Sequence, residues 1–283
     1  MISKSKRKVT TSNLKNYLKS NCPLVSVVIP THNSSRTLPQ CLESIRDQTY
    51  NHVETIVVDR FSDDGTERIA RKFQAILVRK GPERSAQKNF GALVAKGDFL
   101  YFVDSDFILE RDTISKCVRT CENLDGVSTI NYSAGYSIWG KSIALQEHFL
   151  AHDPTIQTVR FIRKKAFLEL GGFDKRLVIG EDLDLYARLL EGRFRVGHSD
   201  AIERHMGEPE TLKDISRRSF YYGKAARSFF RKRGTSGVHQ LSPFKAGLFW
   251  ALVRTGSRYI ISLAIVDVTR WTSSLLGLML SEK

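Results

Sequence analysis

The sequence is poor in cysteine, and its four cysteines form no C-x-x-C pair. A disulfide scaffold or a cysteine-ligated zinc site needs cysteines in paired, closely spaced positions. The pattern therefore predicts reduced, buried thiols in a cytosolic protein. Cys117 and Cys121 are four residues apart, which places them on one face of a helix.

The sequence also lacks a long apolar run that is free of charge. Residues 1–22 are basic and polar without an apolar core, so they are predicted to form a loose tail and not a signal peptide. Residues 244–280 are strongly apolar, but Arg254, Arg258, Asp267 and Arg270 interrupt them. Charges near the centre of a spanning helix cost a few kcal/mol each, so this pattern is not that of a clean transmembrane segment.

Acidic residues are few relative to basic ones. The 283 residues contain 30 Asp and Glu against 44 Lys and Arg, a formal net charge of +14. This charge favours anionic partners, such as a nucleic acid, a membrane surface or a phosphorylated substrate. A hydrophobic content of 41% excludes a disordered protein and suits one large domain with an appendage.

The first 105 residues alternate between strand and helix patterns. The β-branched runs "VSVVIPT", "VETIVVD", "AILV" and "DFLYFVD" are separated by segments with apolar residues at helical spacing. This order predicts a parallel sheet with helices on both faces, whose ligands bind at the carboxyl ends of the strands. The polar segments 30–33, 59–65 and 104–106 are all predicted to lie at that edge.

Two carboxylates stand where the fourth strand ends. Asp104 and Asp106 are two residues apart, so they point to the same side of a strand at about 7 Å. Their repulsion suggests a neutralising cation, and oxygen ligands favour magnesium or manganese over zinc. The alternative is a solvated turn in which aspartate ends the strand, because the D-x-D pattern is common.

Five segments of the chain carry a resemblance to a known family. They are "VSVVIPTHN", "VETIVVDRFSDDGT", "SAQKNFGALVAKGDFLYFVDSD", "GGFDKRLVIGEDLDLYARLLEGRFRV" and "IERH". They occur in the order seen in family-two inverting glycosyltransferases of the GT-A fold. The resemblance implies that residues 23–207 form a GT-A domain, with a mostly parallel, Rossmann-like central sheet and helices on both faces.

The resemblance implies a nucleotide-diphosphate sugar as donor and Mn²⁺ or Mg²⁺ as cofactor. Asp104, Ser105 and Asp106 match the motif that binds the ion and the diphosphate. His205 matches the histidine that completes the metal site in many relatives; a packed or solvated histidine is the alternative. The ion would neutralise the charge that develops on the leaving nucleoside diphosphate.

Residues on the first two strand loops match positions that hold the nucleoside in this family: Pro30, Thr31, Asn33, Asp59 and Asp64. An ionised carboxylate only accepts hydrogen bonds, so the two acids would select donors on the base or ribose. Arg60 stands where the family usually has a second acid, which leaves the base open. Arg84 and Lys88 are candidates to face the phosphates or sugar, with solvated surface charge as the alternative.

The segment "GED" supplies the other half of the predicted chemistry. By resemblance, Asp182 is the general base that deprotonates the acceptor hydroxyl, and Glu181 binds the acceptor or the donor sugar. The alternative is structural, because acids in the first turn of a helix are favoured by its dipole. Asp184 and Arg188 are predicted to pair at i, i+4 on the same helix.

Residues 208–283 are predicted to form a helical region, rich in basic and aromatic residues up to about residue 233 and strongly apolar beyond residue 243. Basic amphipathic helices suit an anionic membrane surface, which would place the protein on the inner face of the cell membrane, with a glycan or a lipid-linked acceptor such as polyprenyl phosphate. The alternative is packing on the domain or in a homo-oligomer.

Two other functions fit part of the pattern. A magnesium-dependent nucleotidyltransferase also uses paired acids on an α/β sheet, but "PTHNSSRTL" is not the glycine-rich, basic phosphate loop it would need. A basic nucleic-acid-binding protein would explain the charge, but no recognised module is present and "GED" stays unexplained; we therefore expect no nucleic-acid partner. A relative that only binds sugars is disfavoured by Asp104, Asp106 and Asp182 occurring together.

Overall fold

The computed structural model describes residues 22–150, 157–241 and 259–281; the predicted tail, residues 1–22, lies almost wholly outside them. The strands are β1 (Val25–Thr31), β2 (Val53–Asp59), β3 (Ile76–Arg79), β4 (Phe99–Phe102), β5 (Phe107–Leu109), β6 (Gly126–Ser133), β7 (Phe161–Arg163) and β8 (Val196–His205). The helices are α1 (Leu38–Arg46), α2 (Thr66–Lys72), α3 (Arg84–Val94), α4 (Thr113–Thr120), α5 (Ile138–Leu150), α6 (Lys164–Glu169), α7 (Glu181–Glu191), α8 (Leu212–Leu241, kinked at Gly234) and α9 (Ile260–Met279).

The strands form one mixed sheet in the order β3-β2-β1-β4-β7-β6-β8-β5. The strands β1 to β4 pair in parallel, which confirms the prediction for the first 105 residues. Beyond them the sheet turns mixed, because β7 runs antiparallel to β4 and to β6, and β5 runs antiparallel to β8. The second half therefore brings strand ends that are distant in sequence to the same edge as the carboxyl ends of β1, β2 and β4.

The core lies on both faces of the sheet, which explains the continuous apolar runs of its central strands. All seven residues of β1 are buried, with Val27 and Ile29 on one face and Val28 on the other. Helix α3 packs closely on β1 at Gly91, where a Cβ would lie 2.4 Å from Val28 Cγ1. Helix α1 buries Leu38, as its spacing predicted.

Helix α1 begins at Leu38, after Thr37 and without a side-chain cap, and the Ser34 carbonyl accepts the N–H groups of Thr37 and Leu38. Helix α3 ends at Val94. Gly97, three residues later, passes close to β1, where a Cβ would lie 2.7 Å from the Leu24 carbonyl oxygen.

The four cysteines are free thiols, and three of them are buried while Cys22 is exposed. Cys117 lies on α4, and Cys121 begins the short 3-10 turn that follows it. Burial raises the pKa of Cys121 to about 12. The three buried thiols therefore behave as small apolar side chains of the core.

The C-terminal helices pack on each other and on α5. At Gly223 of α8 a Cβ would lie 2.0 Å from the Ser274 carbonyl oxygen, and at Gly277 of α9 it would lie 2.2 Å from that of Phe220. In the described part of the chain, α9 alone is long and apolar enough to cross a membrane. Helix α9 begins at Ile260, after Arg258, but it still contains Asp267 and Arg270.

Candidate active site

The loops after β1 and β2 are fastened together by one buried aspartate. Asp59 Oδ1 accepts hydrogen bonds from Thr31 Oγ1 at 2.7 Å and from Ser62 Oγ at 2.6 Å, and Oδ2 accepts one from the Ser62 N–H at 2.7 Å. Pro30 lies beneath, buried and paired with Val58 in the sheet. Because the chain itself uses both oxygens of Asp59, the role of this residue towards a nucleoside stays a prediction.

Asn33 and Asp64 connect the same two loops. The Asn33 N–H donates to Ser62 Oγ at 2.8 Å, and Asn33 has a positive φ of 50°, which asparagine tolerates better than most residues. Asp64 Oδ2 accepts the Ser35 N–H at 2.9 Å, and Oδ1 accepts the Thr66 N–H at 3.1 Å. We call residues 31–35 and 59–66 the loop side of the site.

An open groove of about 520 Å³ adjoins the loop side. It is lined by Arg60, Phe61, Arg79, Lys80, Gly81 and Pro82. Phe61 is 66% exposed, with φ at +53°, so its ring offers a flat apolar surface in the groove that Arg60 also lines. Stacking of a planar base on such a ring is a common mode of nucleotide recognition.

Lys88 joins the end of β4 to the start of α7. Its Nζ lies 3.3 Å from Asp104 Oδ1 and 3.5 Å from Glu181 Oε1, and its side chain is only 7% exposed. Burial alone would raise the pKa of the Asp104 carboxyl, but Lys88, Arg160 and Arg84 together hold it below its usual range. Asp104 is therefore ionised at neutral pH.

Arg160 is a site residue that sequence reasoning missed. Its guanidinium lies 3.6 Å from Asp104 Oδ2, 3.4 Å from Glu203 Oε2 and 4.2 Å from the centre of the Phe107 ring. Glu203 is fully buried and accepts a hydrogen bond from Tyr101 Oη at 2.6 Å. The local pattern of "TVRFIRK" predicts a strand and carries no signal that its first arginine faces the acids.

Asp106 meets His205 where β5 pairs with β8. The antiparallel register places Phe107 opposite His205, and His205 Nε2 lies 3.1 Å from Asp106 Oδ2. On its other side, His205 Nδ1 lies 2.6 Å from Glu208 Oε1. Burial lowers the pKa of His205, but hydrogen bonds to Asp106 and Glu208 outweigh it and raise that pKa to about 9.

The predicted metal set divides into two parts. Among the described residues no group of three or more His, Cys, Asp or Glu side chains gathers around one point, since Asp104 faces Lys88 and Arg160 while Asp106 faces His205. Gly207 packs against that pair, since a Cβ there would lie 2.1 Å from Asp106 Oδ2 and 3.0 Å from His205 Nε2, and the Asp106 side chain stays 31% exposed. A carboxylate and an imidazole with open positions suit Mn²⁺ or Mg²⁺ that also binds substrate phosphates.

Helix α7 begins with two acids, Glu181 and Asp182, that lie near the cations described above. It begins after Gly180, whose φ of +69° and close approach to the Phe229 ring exclude a side chain. Burial raises the pKa of Glu181, against the attraction of Lys88. Asp182 lies close enough to Arg84 and Arg160 to contribute to their raised pKa values.

The predicted pair on α7 is confirmed, and it belongs to a larger cluster. Arg188 Nε donates to Asp184 Oδ2 at 2.8 Å. Fully buried Asp184 also binds Lys232 Nζ at 2.9 Å and an Arg233 guanidinium nitrogen at 2.7 Å, both from α8. Asp184 thus anchors α7 to the C-terminal helices.

The structure therefore brings most of the predicted site residues to one edge of the sheet. Ser105 Oγ donates to Ser34 Oγ at 2.9 Å, which connects the end of β4 to the loop side. Arg84 begins α3, one turn before Lys88. We call the second group, which contains most of the charge, the charged side; it comprises Arg84, Lys88, Asp104, Asp106, Arg160, Glu181, Asp182 and His205.

Comparisons with known proteins agree with this geometry. Residues 26–173, more than half of the chain, match the family model described as glycosyl transferase family 2. The chain is 27% identical over 228 residues to the glycosyltransferase AglE of Haloferax volcanii, which covers 73% of this chain and 74% of AglE. It is 29% identical over 127 residues to the putative glycosyltransferase EpsH of Bacillus subtilis, covering 43% of this chain but only 37% of EpsH.

A solved structure shares the fold. The mannosyltransferase PcManGT of Pyrobaculum calidifontis, in complex with GDP-Man and Mn²⁺, superposes with a TM-score of 0.63 at 16% identity, covering 95% of this chain and 93% of that protein. Together with the family match, this confirms the GT-A fold that the motifs predicted. The chain belongs to glycosyl transferase family 2 and is a glycosyltransferase.

Proposed function

We propose that this glycosyltransferase transfers a sugar from a nucleotide-diphosphate sugar to an acceptor hydroxyl with inversion at the anomeric carbon. The observation that carries the proposal is the contact of Lys88 with both Asp104 and Glu181, at 3.3 and 3.5 Å. It brings the acids at the end of β4 and the acids that begin α7 around one space. An inverting reaction needs these two groups on opposite faces of the donor sugar.

Asp106 and His205 would hold the divalent ion, Mn²⁺ or Mg²⁺. Bound there, the ion would act as a Lewis acid that neutralises charge on the departing diphosphate. Asp104 faces Lys88 and Arg160 instead, so its predicted part in holding the ion stays a prediction. Arg84 and Lys88 supply positive charge to the phosphates, which holds the donor in place.

Asp182 is proposed as the general base. The acceptor oxygen attacks the anomeric carbon, its proton passes to the Asp182 carboxylate, and the bond from the anomeric carbon to the phosphate oxygen breaks with its electron pair on the nucleoside diphosphate. Glu181, held by Lys88, would bind a sugar hydroxyl. Orienting both reactants in this way supplies a large part of the rate enhancement.

The loop side is proposed to hold the nucleoside. Thr31, Asn33, Asp59 and Asp64 fix the shape of the two loops, and the groove beside them offers Phe61 as a stacking surface. Arg60, in place of the usual second acid, would donate hydrogen bonds to acceptor atoms of the base. The preferred base is therefore one with carbonyl oxygens or ring nitrogens on the edge that faces Arg60.

A screen of nucleotide-sugars tests the proposed donor class. A donor that binds only the folded protein raises its melting temperature, so the screen is run with Mn²⁺ and again with chelator. We expect one nucleotide class to stabilise the protein only with metal, and the sugar product with that donor to have the inverted anomeric configuration by NMR. Full turnover in chelator, or retention of configuration, would contradict the proposal.

We propose further that α9 binds the membrane in which a lipid-linked acceptor, such as a polyprenyl phosphate, resides. Its exposed face carries Ile261, Ile265, Val268, Trp271, Leu275 and Met279. The two charged residues of the helix turn inward, where Asp267 and Arg270 both bind Gln146 of α5 at 3.1 and 2.6 Å. An uncharged outer face with its charges bound inside suits insertion into a bilayer interface.

Basic residues of α8 lie beside this face and favour an anionic surface. Arg227 donates to the Leu278 carbonyl at the end of α9, at 3.4 Å, and Lys224 is exposed one turn earlier. Such residues are worth about 1 kcal/mol each near an anionic leaflet. The protein would then be peripheral on the cytoplasmic face of the cell membrane.

Flotation with vesicles of phosphatidylglycerol and phosphatidylcholine tests this surface. The wild type should float at low salt, and the double variant Val268→Glu/Leu275→Glu should stay in solution. Leu93→Glu, an exposed leucine on α3, is the matched control and should float. A wild type that does not float contradicts the proposal, and a dimer dissociated by the double variant would assign the face to a second copy of the chain.

A further inference from the structure

A carboxylate outside the recognised motifs contacts His205 on the side of the ring away from Asp106. His205 Nδ1 lies 2.6 Å from Glu208 Oε1, while Nε2 faces Asp106 at 3.1 Å. The two ring nitrogens therefore point to two different carboxylates. The Asp106 side chain is 31% exposed and the Glu208 side chain only 5%, so a ligand can approach His205 only from the Asp106 side.

Glu208 is itself firmly fixed. Its side chain is 5% exposed, its Oε1 accepts a hydrogen bond from Ser133 Oγ at 2.9 Å, and its Oε2 lies 3.5 Å from an Arg218 guanidinium nitrogen. Glu208 is thus a buried carboxylate that Ser133 and Arg218 hold in a single orientation.

We propose that Glu208 is a positioning residue for the metal site: it accepts the N–H at Nδ1 of His205 and so directs Nε2 to the divalent ion, which would replace the proton held between Nε2 and Asp106. A histidine ligand binds through one nitrogen, and the hydrogen bond at the other nitrogen fixes its tautomer and ring angle. The inference rests on the proposed metal role of Asp106 and His205. Glu208 lies in the segment between β8 and α8, outside the residues already proposed for the metal site.

The same contacts connect the metal site to the C-terminal helices. Arg218, which holds Glu208, lies on α8, and its guanidinium is also 5.6 Å from the centre of the Tyr222 ring. Glu208 therefore receives its support from the helical region and not from the sheet alone. Through Glu208, α8 helps to set the position of His205.

Glu210 offers a matched control two residues away. It accepts the backbone N–H groups of Tyr136 and Ser137 at 2.9 and 2.7 Å and makes no contact with His205 among the hydrogen bonds and ion pairs of the described residues. Glu210→Gln removes one negative charge from the same segment, as Glu208→Gln does. A difference between the two variants therefore reports the contact with His205 and not the net charge.

The test measures binding of Mn²⁺ alone to the full chain, from the electron paramagnetic resonance signal of the free ion. Glu208→Gln keeps an acceptor but loses the charge, and Glu208→Met removes both. We expect the Mn²⁺ dissociation constant to rise severalfold in Glu208→Gln and about 10- to 100-fold in Glu208→Met. Glu210→Gln should bind within twofold of the wild type, and Asp106→Asn should lose binding.

The outcomes separate this inference from the proposed function. If Asp106→Asn loses Mn²⁺ while both Glu208 variants bind like the wild type, or if Glu210→Gln weakens binding as much as Glu208→Gln, the positioning role is wrong and the metal site stands. If the wild type does not bind Mn²⁺, or Asp106→Asn binds normally, the metal site and the positioning role both fail. Metal-free melting curves identify any variant that is misfolded; if Glu208→Met is, the comparison of Glu208→Gln with Glu210→Gln decides.

Discussion

The two sides of the candidate site stabilise their carboxylates in different ways. On the loop side, Asp59 and Asp64 accept hydrogen bonds from hydroxyls and backbone N–H groups of the two facing loops. On the charged side, Asp104 and Glu181 face the cation of Lys88, and Arg160 adds a second cation. The first arrangement fixes the shape of the loops. The second groups charged side chains where a charged ligand would bind.

The difference in partners leads to a difference in sensitivity. Where a carboxylate accepts hydrogen bonds from neutral donors, removing one bond lowers the stability of the protein by about 1 kcal/mol. A buried carboxylate that loses its cation is left as an uncompensated charge, which costs about 3–5 kcal/mol. Substitutions on the charged side should therefore affect stability as well as activity, and those on the loop side should act mainly on nucleotide binding.

The largest effect is expected for Asp106→Asn. Loss of the carboxylate removes half of the pair that would hold the ion, so metal-dependent transfer should fall by on the order of a thousandfold or more. Transfer rates measured across a range of Mn²⁺ concentrations check this, with Asp200→Asn, an exposed acid on β8, as the control. Normal transfer by Asp106→Asn would remove the metal role from this residue.

Lys88→Met should destabilise the protein by roughly 3 kcal/mol, because Asp104 and Glu181 would lose their shared cation. Burial already raises the pKa of Glu181, and without Lys88 it should rise further. A carboxyl whose pKa is raised on folding stabilises the fold at low pH and ceases to do so as pH rises. In urea unfolding, the loss of stability relative to the wild type should therefore grow as pH rises above the ordinary glutamate pKa of about 4.3; a loss independent of pH would contradict this account.

The pKa of Asp184 is shifted in the opposite direction to that of Glu181. Burial raises its pKa, but Lys232, Arg188 and Arg233 together lower it below the usual value. A lowered pKa contributes stability above the unfolded value of about 3.9, and that stability is lost as pH falls through the folded value. Asp184→Asn should cost roughly 3 kcal/mol at pH 7 and progressively less below pH 4, as measured by denaturant unfolding across pH. An equal loss of stability at pH 3 would show that the ion pairs of Asp184 are not its cause.

The smallest effect is expected for Thr31→Val on the loop side. It removes one hydrogen bond to Asp59 at nearly constant volume, so it should cost about 1 kcal/mol of stability. Nucleotide affinity should weaken modestly while turnover at saturating donor stays close to that of the wild type. A loss as large as that of Lys88→Met would remove the distinction between the two sides.

The sequence predicted the loop side better than the charged side, for a physical reason. The strands β1, β2 and β4 carry runs of apolar residues, so their ends and the polar loops after them can be located from local pattern. The partners on the charged side come from far away, since Asp106 and His205 are 99 residues apart and meet through the β5–β8 register. Arg160, Gly207 and Glu208 carry no local motif, and only the fold brings them to the site.

The C-terminal helices show the same limit. Their apolar and basic composition predicted helices and a surface role, but not that α8 would hold Asp184 through Lys232 and Arg233, or Glu208 through Arg218. The ion pairs of Asp184 cross the predicted boundary between residues 207 and 208, and so does the contact of Glu208 with His205. The helices therefore support the site as well as extending from it.

The most direct test of the central claim is single-turnover transfer by Asp182→Asn with the donor identified by the screen. The account predicts nucleotide affinity within twofold of the wild type and transfer slower by on the order of a thousandfold. Asp200→Asn should match the wild type in both measurements. Transfer at the wild-type rate by Asp182→Asn would show that the acids of α7 do not remove the acceptor proton, and the proposed mechanism would be wrong.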